Sequence, residues 1–204
     1  VQVKSRLDFP LPLPLFIEPN VTWSSWDYYK SSNTFLEDIK PSFLKQIEQY
    51  GRLNVGIPIG TKGRLIGGAA ITKVASLYYQ THEFSIQDTT DETDFDAFSS
   101  NLYYEVNSLD RKLYPSKGAR VLAKVRYVRG DELTIPGSTS IDTISEFEKF
   151  HEWVQFKFKA DKYFNRRGRF KLGAMVEGAF STQTVFHNYT SSVLAAPRFQ
   201  PIPD

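Results

Sequence analysis

Apolar and polar residues alternate along this chain in seven long stretches, and a period of two predicts β-strands. In the clearest stretch, Arg120, Lys124 and Arg126 alternate with valine, alanine and tyrosine. In a strand, two such sets point to opposite faces. The pattern predicts an all-β protein of long antiparallel, up-and-down strands. The predicted strands run approximately through Leu13–Tyr29, Leu44–Ile59, Arg64–Tyr79, Phe98–Leu109, Arg120–Tyr127, His151–Lys159 and Phe170–Phe180. Residues Val1–Arg6 are predicted to form the tail of an eighth strand, which enters a proline-rich turn at Phe9–Pro14.

Short basic turns alternate with long acidic loops between the predicted strands. The turns are Gly60–Arg64, Tyr114–Gly118 and Asn165–Arg169, where glycine or proline lets the chain reverse. The acidic loops run through Asp88, Asp91, Glu92, Asp94 and Asp96, and then through Asp131, Glu132, Asp142, Glu146 and Glu148. Short turns on one rim and long loops on the other are typical of an antiparallel barrel that crosses an outer membrane.

Strand length and aromatic placement also favour a membrane barrel, whereas alternation alone does not say which face is wet. Strands of soluble domains average about 5–6 residues, and about 9–11 residues suffice to cross a bilayer. Aromatic residues gather near both ends of the strands, as expected at two water–lipid interfaces. The loop-end group is Trp23, Trp26, Tyr28, Tyr29, Tyr78 and Tyr79, and the turn-end group is Tyr114, Tyr163, Phe164 and Phe170.

The membrane interpretation assigns an environment to each face of the strands. We expect hydrocarbon to contact Val121, Val125, Phe156, Leu172 and Val176. We expect solvent on the concave side to bathe Lys124, Lys157 and Glu177. Opposite charges on that side can pair across neighbouring strands, among them Glu48, Arg52, Glu105, Arg120, Lys124 and Glu177.

Composition narrows the possible classes. The 204 residues suffice for one domain, 41% are hydrophobic, and 15% are aromatic. A net charge of +2 argues against nucleic-acid binding, which favours a basic cluster. The absence of cysteine excludes disulfides and cysteine-based zinc sites. The chain has no run of 18 apolar residues, so its sequence predicts no transmembrane helix. The chain opens on Val1 without a signal peptide, so we expect an internal segment of a longer protein.

Residues for catalysis or metal binding are not apparent, so we predict no catalytic, metal or cofactor site in this chain. It has no Gly-x-Ser-x-Gly elbow, and the nearest sequence, Gly137–Ser140, is predicted to be a turn. His82, His151 and His187 are predicted at the loop ends of different strands, where we expect them to be solvated rather than to bind a metal. The segment Asp88–Asp96 lacks the spacing of a calcium loop and is predicted to be a solvated surface loop.

Residues Tyr104–Val121 resemble the strand–turn–strand signature of the BamA-type (bacterial surface antigen) barrel superfamily. In that signature a Leu-Asp-Arg segment, here Leu109–Arg111, precedes an aromatic-Pro-Thr/Ser-x-Gly turn, here Tyr114–Gly118. Physical chemistry agrees, because proline and glycine shape a tight turn and Asp110 can cap it. Glu18–Lys30 and Gly51–Gly60 also look like the barrel of bacterial patatin-like phospholipases.

This resemblance implies a location and partners. Proteins of the patatin-like branch carry an amino-terminal patatin domain with a Ser–Asp dyad, a periplasmic connector and a sixteen-stranded barrel. Residues 1–204 would then form a single domain, an internal segment of a multi-pass barrel in the bacterial outer membrane. Its partners would be outer-membrane lipids, the remaining strands, the connector and the patatin domain. The family's lumen-loop Val-Arg-Gly-aromatic motif is not matched, because Val128-Arg129-Gly130 precedes Asp131 at the end of the fifth predicted strand.

Three functions follow from these predictions. The leading hypothesis is a barrel segment that anchors or exports a lipid acyl hydrolase whose catalytic residues lie outside this chain. The alternative is a BamA-type barrel that inserts or secretes other proteins. A third hypothesis is a soluble β-barrel that binds an apolar ligand, with its apolar faces turned inward.

Overall fold

The computed structural model describes residues 1–10, 14–28, 44–81, 84–111, 113, 115–141, 146–164 and 172–186. In these ranges the chain is all-β. The strands are β1 (Gln2–Lys4), β2 (Leu7–Phe9), β3 (Leu15–Tyr28), β4 (Leu44–Ile59), β5 (Gly63–Tyr78), β6 (Asp91–Asn107), β7 (Gly118–Ile135), β8 (Phe147–Phe164) and β9 (Leu172–Ser181). Within the same ranges, no helix is long and apolar enough to span a membrane.

The strands form one antiparallel sheet in which each strand from β3 to β9 pairs with the next along the chain. The predicted long, up-and-down topology is therefore confirmed. The predicted amino-terminal strand is confirmed as β1, and both β1 and β2 pair with β3, for example through Gln2 opposite Thr22 and Leu7 opposite Ile17. The sheet is open over the described ranges, with β1 and β2 at one edge and β9 at the other.

Several strands are longer than predicted, and the predicted acidic loops are wrong over much of their length. The acidic residues that lie inside strands are Asp91, Glu92, Asp94 and Asp96 in β6, Asp131 and Glu132 in β7, and Glu148 in β8. Charge alone suggests a loop, but paired strands accommodate charge when each carboxylate faces water or accepts a hydrogen bond. Asp96, for example, stands opposite Lys73 on an exposed face, with 3.5 Å between its Oδ2 and the ammonium. Asp142 lies outside the described residues.

The predicted aromatic groups divide between the two faces of the sheet. Trp23 and Phe164 are exposed on the apolar face, as an interfacial position requires. Tyr78 and Tyr79 are buried instead, and the Tyr78 hydroxyl lies 3.1 Å from Thr93 Oγ1. Trp26 stands on the opposite face from Trp23, in register with Gln46. The predicted groups were defined by position along the strands alone. Only every second residue of a strand points to a given face, so residues near the same end of a strand can lie on opposite faces.

The predicted turn Gly60–Arg64 lies in the described part of the chain, as does the turn Tyr114–Gly118 apart from Tyr114, and the described residues confirm both turns. Gly60 and Gly118 have φ of 63° and 105°, which glycine adopts without the penalty of a Cβ. At the second turn, Asp110 accepts hydrogen bonds from the Ser116 hydroxyl (2.6 Å), the Ser116 N–H (2.8 Å) and the Lys117 N–H (3.1 Å). Asp110 therefore caps the turn between β6 and β7, as predicted. Asn165–Arg169 falls outside the described residues.

The capped turn predicts a pH-dependent stability. The Ser116 hydroxyl, followed by the Ser116 and Lys117 N–H groups, holds the pKa of Asp110 well below its usual range. Because the folded-state pKa is depressed, this stabilisation is complete above the unfolded pKa of about 4 and is lost as the pH falls towards the folded value. We expect the thermal midpoint to fall over this acidic range more steeply in the unmodified protein than in the Asp110→Asn variant. Parallel slopes would contradict this role of the carboxylate.

Candidate functional site

The sheet carries apolar side chains on its exposed face and polar side chains on its sheltered face. One row of residues in register runs across seven strands, and most of its large side chains are at least partly exposed: Ile17, Val55, Gly67, Leu102, Val125, Phe156 and Phe180. A soluble domain buries such side chains. The predicted hydrocarbon-facing residues Val125, Phe156, Leu172 and Val176 are 42–62% exposed on this face, and Val121 shares the face by register.

The apolar surface forms a band that ends along one line of polar residues. On β4 it extends from Gly51 to Ile59, and on β6 from Phe98 to Val106. Towards the loops it ends at residues that are neighbours in register, namely Gln49, Lys73 and Asp96. Nine residues cover about 27 Å along a strand. At a tilt of about 40° this length spans about 21 Å across a membrane. The apolar band of known membrane barrels has a similar height of about 25 Å. The boundary thus follows the sheet rather than any single strand.

The opposite face is concave, because Lys4 of β1 and Lys159 of β8 line the same cavity of about 380 Å³. The predicted solvent-side residues Lys124 and Lys157 lie in the wall of this cavity, and Glu177 shares their face. The prediction that these two sets of side chains lie on opposite faces, with the lysines on the concave side, is therefore confirmed. The buried side chains that point to this side are largely polar, including Glu18, Asn20, Asn54, Ser99, Glu105, Glu132 and Asp161.

Ion pairs across neighbouring strands organise the turn end of the concave face. Glu105 on β6 lies between Arg64 on β5 and Arg120 on β7, with N–O distances of 2.5 and 2.9 Å. The side chain of Glu105 is only 6% exposed, so the two guanidinium groups compensate a nearly buried charge. Lys157 and Glu177 form a second pair at 2.8 Å. The first set joins β5, β6 and β7, and the second pair joins β8 and β9.

The predicted pairing of charges is therefore correct for part of the set. Glu105, Arg120 and Glu177 each have an oppositely charged partner. Among the described side chains, Arg52 and Lys124 have no carboxylate within 4.0 Å, and Glu48 has no cationic group within 4.0 Å. Arg52 and Lys124 therefore have no paired carboxylate on the concave face among the described residues.

A small apolar cluster occupies the loop end of the same concave face. Phe95, Ala97, Val128, Trp153 and Phe186 pack together, with the Phe95 and Trp153 rings 5.5 Å apart. Phe186 follows β9, so the chain turns over the concave face after that strand. This cluster closes one end of the polar surface with aromatic side chains.

His151 lies beside this cluster and contradicts the prediction of a solvated rim histidine. It is 1% exposed, its Nε2 lies 2.5 Å from Glu132 Oε2, and its Nδ1 lies 3.0 Å from Thr184 Oγ1. Because β8 begins at Phe147, before the predicted start of the strand at His151, this histidine lies inside a paired strand and not at its solvated end. Sequence reasoning also missed Glu132 as its partner, although the two residues stand on neighbouring strands of the same face. His82 and His187 lie outside the described residues.

The remaining candidates occupy structural positions. Gly137–Ser140 is a loop, as predicted, and Ser138 exchanges two hydrogen bonds of 2.9 Å with Thr89. In the neighbouring loop, the Ser85 N–H and hydroxyl lower the pKa of Asp88. Asp91 is buried and accepts a hydrogen bond from the Gly137 N–H, so the predicted surface loop Asp88–Asp96 is wrong beyond residue 90. The described residues contain no group of three or more acidic or histidine side chains suited to a metal ion.

The chain is thus an all-β protein with a curved antiparallel sheet, an apolar convex face and a charged concave face. Comparison with models of known families, with curated proteins and with solved structures finds no match. The functional assignment therefore depends on the geometry of the two faces and on the strand–turn–strand motif around Asp110.

Proposed function

We propose that this chain forms part of the wall of a transmembrane β-barrel in a bacterial outer membrane. The convex face would contact lipid, and the concave face would line the lumen. The observation that carries the proposal is the inverted distribution of polarity: Glu105 and Lys157 are sheltered, whereas Val176 and Ile71 are exposed. Membrane barrels have this distribution because hydrocarbon surrounds their outer surface while water fills their interior.

The soluble alternative requires the opposite arrangement. A barrel that binds an apolar ligand has apolar side chains on its concave face. Here the concave face carries Arg64, Lys124 and Lys157 around its cavity. An apolar ligand would leave these charges without water, which is costly. This observation favours the membrane proposal over the soluble one.

The open edges of the sheet indicate that the proposed barrel contains further strands. Over the described ranges β9 and the β1–β2 edge pair on one side only. In a bilayer each unsatisfied backbone group costs several kcal/mol, and known spanning sheets are closed. In the proposed barrel, further strands pair with both edges, and the family resemblance implies a total of sixteen.

Within this class, we propose that the barrel anchors or exports a patatin-like lipid acyl hydrolase. The support is the resemblance of Glu18–Lys30 and Gly51–Gly60 to that branch. Tyr104–Val121 resembles the wider superfamily, and Asp110 caps its turn at the position where the motif has its aspartate. The hydrolase domain, its connector and its lipid substrates would lie outside this chain. A Gly-x-Ser-x-Gly elbow and a catalytic Asp on the amino-terminal side favour the hydrolase, whereas serial periplasmic repeats alone favour an insertion or secretion barrel.

Tryptophan fluorescence in vesicles tests the membrane proposal. Trp23 is exposed on the convex face, whereas Trp153 is buried on the concave face. Two variants of the protein would each retain one of these tryptophans, with phenylalanine at all other tryptophan positions. We expect lipids brominated along the acyl chain to quench Trp23 strongly and Trp153 weakly. Equal and weak quenching of both, with Trp23 open to acrylamide in the water phase, would exclude lipid contact by the convex face.

A further inference from the structure

The concave cavity holds many more cations than carboxylates. The charged side chains that line it are the cations Lys4, Arg52, Arg64, Arg120, Lys124, Lys157 and Lys159 and the carboxylates Glu18 and Glu105. The whole chain, by contrast, is nearly neutral, with a net charge of +2. The positive charge is therefore concentrated in one cavity by the fold and does not reflect a generally basic protein.

Both carboxylates that line the cavity have cationic partners, whereas the buried Asp161, which stands opposite Arg120 on the same face, has no cation within 4.0 Å among the described residues. Glu105 binds two arginines, Glu177 binds Lys157, and Glu18 lies 3.6 Å from Arg6, which is outside the cavity wall. Four of the cavity's cations, Lys4, Arg52, Lys124 and Lys159, then have no carboxylate within 4.0 Å among the described residues. These four cations are therefore available to bind an anion that enters the cavity.

The two most central lysines face each other. Lys124 on β7 stands directly opposite Lys157 on β8, and like charges in register destabilise a strand pair. Arg52 and Arg126 also lie within electrostatic reach of the Lys124 ammonium. A dianion beside Lys124 would offset this repulsion through a charge-assisted hydrogen bond. The Lys157 ammonium already donates to Glu177, and because it carries three N–H groups it can donate to the same anion as well.

Neutral polar groups complete the site. Asn54 and Tyr103 line the same cavity, and the Asn54 side chain is nearly buried. Its buried Oδ1 lies over Gly68 and has no hydrogen-bond partner among the described residues. The NH₂ group of Asn54 and the hydroxyl of Tyr103 are the donors that these residues offer to an anion, while Lys124 and Lys157 supply the charge.

We propose that the concave cavity is a binding site for a phosphate-bearing anion, held between Lys124 and Lys157 with Arg52 nearby. The cavity of about 380 Å³ accommodates a phosphate or diphosphate group. The anion would be either free phosphate or the headgroup of a phospholipid. The site depends on the concave face alone and holds whether or not the convex face contacts lipid.

Phosphate binding to the purified protein in detergent micelles tests the site. The measurements are ³¹P line broadening of inorganic phosphate and the phosphate-induced rise in thermal midpoint, at constant ionic strength set with chloride. We expect broadening with the unmodified protein and at least tenfold weaker affinity in the Lys124→Gln, Lys157→Gln double variant. The matched control is Lys73→Gln, because Lys73 lies on the convex face. This variant is expected to bind as the unmodified protein does.

Competition identifies the source of the phosphate. Displacement of inorganic phosphate by short-chain phosphatidate, but not by the corresponding diacylglycerol, supports a lipid headgroup. Failure of phosphatidate to displace bound phosphate supports a free anion. The absence of ³¹P broadening with the unmodified protein, which needs no variant to fold, overturns the proposal. Equal affinity in the unmodified protein and a folded double variant overturns it as well.

Discussion

Arginine in place of Val125 is expected to destabilise the folded protein in lipid vesicles by about 2–4 kcal/mol, the cost of a basic side chain near the midplane of a membrane barrel. Val125 lies within the apolar band, in register with Leu102 and Phe156, and is 44% exposed. On a water-facing surface the same substitution would change stability by about 0.5 kcal/mol or less. The sign and size of the effect therefore report what contacts the convex face. Guanidinium titration in vesicles, followed by the heat-dependent shift in gel mobility, measures it.

The control for this substitution is Ile141→Arg. Ile141 is 77% exposed and lies in the loop region after β7, outside the apolar band. We expect it to tolerate arginine with little change, because its side chain faces water in either environment. Equal and small effects of both substitutions would be incompatible with a lipid-facing convex surface.

Truncation of Trp153 to alanine is expected to destabilise the protein by about 3–5 kcal/mol, as for other large aromatic side chains removed from packed cores. Trp153 is 5% exposed and packs against Phe95 and Phe186. Its loss would open a cavity where the chain after β9 crosses the concave face. We expect proteolysis near Phe186 to become faster, because that segment loses its aromatic contacts. Denaturant titration and limited proteolysis provide the two measurements.

The Trp153→Phe variant separates packing from hydrogen bonding. The indole N–H of Trp153 has no hydrogen-bond partner among the described residues, so phenylalanine removes no hydrogen bond observed there and retains most of the ring contacts. We expect a smaller loss of stability than with alanine. If phenylalanine is as destabilising as alanine, aromatic packing at residue 153 is not the source of the stabilisation.

Local patterns were sufficient for much of the fold. Strand β4 was predicted with its observed bounds, Leu44–Ile59, because alternation and a glycine turn mark both its parity and its end. The Asp110 cap was also predictable, since an aspartate side chain reaches backbone N–H groups only a few residues away. The assignment of Val125 and Lys124 to opposite faces required nothing beyond their adjacency in one strand.

Other features depended on which strands are neighbours. The burial of His151 beside Glu132 joins residues 19 positions apart, and neither residue signals the other in the sequence. Acidic residues such as Asp91 were assigned to a loop because charge disfavours strands in isolation, whereas a hydrogen bond from Gly137 compensates that charge in the sheet.

The sequence by itself determined the all-β class, the up-and-down order of strands, two tight turns and the polarity of each face. All of these depend on interactions over a few residues, which a period of two and a turn motif record directly. Only the tertiary structure decided that His151 is buried beside Glu132 and that Lys124 stands opposite Lys157 beside Arg52. Curvature and register place distant residues together, and no local pattern encodes the distance between them.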